Sequence, residues 1–281
     1  MDYTEENRSL YAAVTTDTQP SIDAVVRWTR YGLEHVLLPA VGERDYSLSM
    51  RVIRLNEDLR RPKALKGVVW DSIPCNEALE NIAINGWPQQ SGAEHAETQL
   101  LRVNANFPIL RRRVNGTTGK TETIISLSVL KRALGSHCID EVLQQRMVEW
   151  LLESFEELGG TTGYVTADFV QAGPGAYSPY ESAVRFPSSE RDFRRHLWGY
   201  YWGNLLGSEH VKLLGGPDAV QQAPVTIVRP VGSSSFYLQL TEDINDIDLD
   251  RLHQLREFLQ PLLPEGSQPL EVHNRRPPYL L

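Results

Sequence analysis

The sequence predicts an α+β domain: a mainly antiparallel sheet with helices packed on one face. Three observations predict it. Several segments rich in β-branched residues alternate with a period of two and are bounded by Asn, Pro and Gly. Other stretches carry apolar residues at helical spacing. The strand spacings suit hairpins, whereas a parallel sheet needs a long crossover between each pair of strands. At 281 residues the chain can bury a substantial core.

Residues 1–20 are polar and read as a loosely held arm, which leaves 21–264 as the domain and 265–281 as a proline-rich tail. Ser21 caps a first helix, whose apolar face is Ile22, Val25, Val26, Trp28, Tyr31, Leu33 and Val36 and which stops at 39–42. Residues 46–55 alternate as a strand, 67–70 read as a short edge strand and 76–84 as a brief helix ending before Gly86. Strands come next at 97–106 and 121–129. The clearest helix is 139–158, capped by Ser136 or Asp140 and stopped by Gly159 and Gly160. Its core stripe is Val142, Leu143, Met147, Trp150, Leu151, Phe155 and Leu158.

Beyond it come a strand at 163–170, a Pro/Gly/Ser-rich loop at 171–189 and an aromatic strand at 196–202. A short helix at 208–214 ends in Gly215 and Gly216; strands at 225–229 and 235–240 pair, and a last helix covers 249–259. The halves 21–160 and 161–264 each hold a helix ending Leu-Gly-Gly ahead of a strand. The echo fits a duplicated unit or two independent helix stops.

Hydrophobic residues make up 41% of the chain and charged residues 23%, which excludes global disorder. A formal charge of −8 argues against nucleic acid as partner, because phosphate binding needs a basic surface. An acidic surface instead complements a basic protein. Cys75 and Cys138 form no CxxC pair and no disulfide framework. No run approaches the roughly 20 apolar residues of a membrane span, and residues 1–20 lack the pattern of a secretory signal. The expectation is a soluble, cytoplasmic protein with no membrane partner.

Candidate chemistry is sparse. GTTGKT at 116–121 approaches a phosphate loop, but Val114 stands where that loop requires glycine, and a strand comes next where a helix is needed. A hairpin tip is the better reading. Arg111, Arg112 and Arg113 read as a solvated strand end that discourages edge pairing. The seven histidines form no metal-binding spacing, and there is no GxSxG elbow. No catalytic group, metal or cofactor is expected. Glu242, Asp243, Asp246, Asp248 and Asp250 form an acidic run without the spacing of a calcium loop. Carboxylates here favour the positive end of the next helix. Glu242, Asp243, Asp246 and Asp248 are also the candidates for contacting a basic partner.

The most distinctive stretch is 194–216, RRHLWGYYWGNLLGSEHVKLLGG. On a strand, Trp198, Tyr200 and Trp202 share one face, with Gly199, Tyr201 and Gly203 on the other. Such a stripe packs as core or, if exposed, serves as a stacking platform. With TGYVTAD before it and PLLP after it, the segment resembles immunity proteins of bacterial polymorphic-toxin and type VI secretion systems. The nearest are the group known as immunity protein fifty-two and the related type VI immunity family. The resemblance covers mainly residues 160–264; ahead of it, only the coarse order of elements agrees.

It implies an acidic α+β cytosolic protein that neutralises a cognate toxin domain by occlusion, without catalysis or cofactor, and it carries over no residue-level site. A basic nuclease is one toxin that acidic residues could block by mimicking phosphates. Two alternatives stay open: an enzyme whose site is assembled from distant segments, and an assembly protein of a phage or secretion apparatus.

Overall fold

A computed structural model describes residues 8–18, 20–41, 46–54, 64–66, 70, 79–88, 101–106, 123–130, 134, 139–169, 181–182, 192–197, 199–246, 248–263 and 268–269. The strands are β1 (Arg8–Thr16), β2 (Tyr46–Arg54), β3 (Ala64–Lys66), β4 (Leu79–Pro88), β5 (Leu101–Asn106), β6 (Thr123–Leu130), β7 (Thr162–Phe169), β8 (Glu181–Ser182), β9 (Gly203–Leu206), β10 (Ile227–Val231), β11 (Ser235–Gln239) and β12 (Gln268–Pro269). Ten of them form one sheet in the order β10-β11-β9-β7-β1-β6-β5-β4-β2-β3, and every neighbouring pair is antiparallel. β8 and β12 pair separately. The fold is α+β with an antiparallel sheet.

The amino-terminal segment corrects the reading of an arm. Residues 8–16 are β1, paired with β6 on one side and β7 on the other. Leu10, Ala12 and Val14 alternate into the core, and Ala13 and Thr15 are buried on the opposite face. Small and hydroxylated residues hide this pattern from a hydrophobicity count. A strand with neighbours on both sides buries both of its hydrogen-bonding edges, so its backbone groups are satisfied without water.

Register aligns the apolar residues of successive strands on one face. Met50, Ile84, Val103, Leu127, Ala12 and Val165 are cross-strand partners in turn, and all are buried. Over this face lie α1 (Ile22–Tyr31), continued by a π-helical turn (Gly32–Leu37) and α2 (Leu38–Val41), and α3 (Glu141–Leu158). Ser21 caps α1, its Oγ accepting from the Ala24 N–H at 3.2 Å. The helical path runs on past residue 36 through Pro39, which sits in its last turn. Trp150 of α3 is wholly buried and donates from Nε1 to the Trp28 carbonyl at 3.1 Å, fastening the two helices together.

Asp140 is the cap of α3; its Oδ1 accepts from the Leu143 N–H at 2.8 Å. The core stripe of α3 holds except at Val142, which is 58% exposed. Gly159 stops the helix at φ 62°, where a side chain would be strained. The Gly160 N–H reaches the Phe155 carbonyl at 2.8 Å and the Gly159 N–H reaches Glu156. The stop at Gly215 and Gly216, which ends α4 (Ser208–Leu213), makes the same pair of bonds, to Lys212 and Val211. The two stops lead to different elements: β7 after the first, and a further short helix, α5 (Pro217–Val220), after the second.

Two further readings change. Residues 79–88 are β4, not part of a helix, because Ile82 and Ile84 fill the core in strand register between β2 and β5. The aromatic segment is not a strand at 199–202; pairing begins only at Gly203, in β9. Tyr200, Tyr201 and Trp202 are all buried with no alternation, so they act as core and not as a stacking platform. Both faces of the sheet are also covered at β9. There Leu205 and Leu206 point to opposite faces and both are fully buried.

The two ends of the sheet are built differently from its middle. β10, at one edge, contains Pro230, and β3, at the other, has only three residues. Outside the described residues lie 67–69 of the edge-strand reading at 67–70, the basic strand end Arg111 to Arg113, the hairpin tip at 116–121, and Cys75, Cys138 and Trp198; of the loop read at 171–189 only 181–182 are described, and they form β8.

Because β1 is paired on both sides and Leu10 is fully buried, Leu10→Ala lowers stability by about 2–5 kcal/mol in chemical denaturation. A loosely held arm would leave the midpoint unchanged.

Candidate functional site

The acidic run lies in the turn between β11 and the last long helix, α6 (Leu249–Leu259). The structure gathers Glu242, Asp243, Asp246 and Asp248 there, and two of the four carboxylates are committed to the fold. Asp243 Oδ1 accepts from Gln144 Nε2 at 2.8 Å, from the Asn245 N–H at 2.8 Å and from Asn245 Nδ2 at 2.7 Å. Gln144, buried on α3, completes the clasp by accepting the Ile244 N–H on its Oε1 at 2.9 Å. Asp243 therefore ties the turn to the start of α3. Asp248 caps α6, accepting from the Arg251 N–H at 2.9 Å. Glu242 and Asp246 are exposed. Among the described residues, no group of three or more His, Cys, Asp or Glu side chains is placed to hold a metal ion.

A second feature has no counterpart in the sequence reading. A cleft of about 570 Å³ opens where the end of β1, the turn between α3 and β7, residues 192–195 and the start of α4 meet. Gly207 permits this meeting: a Cβ there would lie 2.3 Å from the Thr161 carbonyl oxygen. Asp17 lines the cleft. Asp17 Oδ1 accepts from Thr161 Oγ1 at 2.8 Å, and its other oxygen pairs with Arg194 Nε. Burial pushes the Asp17 carboxyl up, but the Thr161 hydroxyl and the Arg194 guanidinium outweigh it and hold it below its ordinary value. Asp192 accepts the Arg194 N–H at 3.1 Å, and Lys212 Nζ donates to Glu209 at 2.6 Å.

His210, on α4, is fully buried against the cleft. Its Nδ1 accepts from the Gly207 N–H at 3.3 Å, closing the first turn of the helix from the side-chain end. Burial pushes the imidazole down to about 4, against an opposing interaction with the Phe193 backbone, so the ring is neutral at pH 7. The cleft thus holds the Asp17–Arg194 pair, the Glu209 carboxylate paired with Lys212, and a neutral histidine engaged in capping. This chemistry holds three chain segments together and leaves a shaped, mixed-sign recess between them. A lone histidine in GSEHVKL carries no sequence signal for such a role.

The His210 environment sets a pH dependence. Between pH 6.5 and about 4 the unfolded chain binds a proton at this ring that the folded chain excludes, so stability falls as the pH drops through that window. The loss approaches roughly 3 kcal/mol at about pH 4, from ~1.4 kcal/mol per pH unit. His210→Gln, which retains an acceptor for the Gly207 N–H, should flatten that part of the stability profile in denaturation series run from pH 7 to pH 4.

No protein-family model matches the chain, and no curated protein matches it. Among solved structures, the chain is similar to the Pseudomonas aeruginosa T6SS protein PA0821, with a TM-score of 0.55 and 11% sequence identity. The match covers 97% of this chain and 81% of that one. At that identity the likeness lies in the fold, and it extends over nearly the whole chain.

Proposed function

We propose that this chain is an immunity protein of a type VI or polymorphic-toxin system, which binds a cognate toxin domain in the cytoplasm and blocks it by occlusion. The observation that carries the reading is the fold shared with a T6SS protein over 97% of the chain. The aromatic-glycine segment and its Leu-Gly-Gly stop, which resemble type VI immunity proteins, point the same way. Neither catalysis nor a cofactor is part of the proposal. The partner is a protein, and a basic nuclease domain suits the net charge of −8. Glu242 and Asp246 are exposed and, unlike Asp243 and Asp248, are not taken up by the clasp or the helix cap, so they are the ones offered to such a partner.

The enzyme alternative has one observation in its favour, the cleft beside His210 and Ser208. Within the inhibitor reading, that recess is where the chain ties β1, α3 and α4 together.

Co-expression with the toxin domain encoded beside its gene should restore growth, and the two proteins should co-purify. Changing Glu242→Gln and Asp246→Asn together should weaken binding by about tenfold and reduce its salt dependence, since exposed charges act through screened electrostatics. Affinity independent of ionic strength would overturn the acidic-surface part of the proposal. Rescue without any complex, accompanied by turnover that Ser208→Ala abolishes, would replace the inhibitor by an enzyme.

A further inference from the structure

Facing away from α1 and α3, one row of the sheet is polar. Asn85 on β4, Arg102 on β5, Ser128 on β6, Tyr11 on β1 and Thr166 on β7 are successive cross-strand partners. Alternation sets them opposite the core residues Leu101, Val103, Leu127, Val129, Leu10 and Ala12. A solvated sheet face carries such residues at little cost. This row is not fully solvated. Thr166 is 1% exposed, and among the described residues its Oγ1 has no hydrogen-bond partner.

Arg102 is half-buried, and its enclosed Nε also has no partner among the described residues. Burial pushes its guanidinium below the ordinary arginine value, and the Tyr11 phenol, two strands away, works in the opposite direction. Among the described residues no carboxylate forms an ion pair with Arg102. A cation withdrawn from water without a counter-charge is costly, by several kcal/mol in well-buried cases. Such an arrangement is stable chiefly when an anion completes it.

We infer that this row is a binding site for an oxyanion, a carboxylate or phosphate group held by the Arg102 guanidinium beside Ser128, its cross-strand partner. Ser128 lies on the adjacent strand, about 4.8 Å from Arg102 in the pairing direction. Arginine presents paired N–H donors that match two oxygens of one anion. Thr166 continues the row one strand further and marks the direction in which a ligand larger than a single oxyanion extends. On the other side the row continues past Asn85 to Ser49, its cross-strand partner on β2. The site is separate from the acidic turn and from the cleft at Asp17, and it does not depend on the toxin reading.

The test uses the full chain in thermal unfolding and calorimetric titration, with inorganic phosphate, acetate and succinate as probes and chloride at matched ionic strength as control. Wild type should gain about 2 °C or more from ~10 mM phosphate or succinate beyond the chloride effect. Succinate exceeding acetate would identify an extended dicarboxylate as the better fit. Arg102→Met should lose the response yet match or exceed wild-type stability in chloride alone, because a half-buried charge with no ion-pair partner among the described residues has been removed. Arg102→Lys should bind about tenfold more weakly, lacking the two-pronged geometry. Absence of any response beyond chloride, or an equal response in Arg102→Met, overturns the site. So does a marked loss of stability of Arg102→Met in chloride, which would mean that the guanidinium already serves the folded chain.

Discussion

The structure depends on the double pairing of β1. Eight residues of this strand pair with β6 and eight with β7, so it joins the strands from the first half of the chain to those from the second. Without it the sheet would fall into two smaller sheets, each with a new exposed edge. The same strand sends Leu10, Ala12 and Val14 toward α3 and leads directly to Asp17, a carboxylate that lines the cleft. Core, sheet continuity and the recess are therefore set by one segment of nine residues and its immediate continuation.

Much of this was legible in the residues. The helix around Trp150, the hairpin of β10 and β11, the strand β6 and the last helix arise from periodicity and from Gly or Asp punctuation, and all stand where those signals put them. The failures have physical causes. β1 reads as polar because Ala, Thr and Ser occupy its positions, and small residues suffice in a strand flanked on both sides. In β4, Leu, Glu and Ala mimic helical composition, and only the neighbouring strands decide for a strand. The aromatic segment packs all of its described large rings inward, which period-two reading cannot anticipate.

The candidate site was less legible. The acidic run is where the sequence drew attention, and its helix-end reading holds at Asp248, which caps α6, but the spacing of its carboxylates does not reveal that Asp243 has Gln144 as partner. That partner comes from a distant part of the chain. The clasp of Asp17, Thr161 and Arg194 joins positions separated by as many as 177 residues, and no local motif announces it. Arg102 carries no motif either; its interest lies in what surrounds it.

The edges of the sheet bear on how a partner can be received. An edge strand with a full set of free N–H and C=O groups invites another chain to add on by backbone pairing. Pro230 withholds a donor in β10, and three-residue β3 offers too short a template. Recognition then falls to side chains on loops and faces, where one substitution can change which partner fits while the scaffold stays intact.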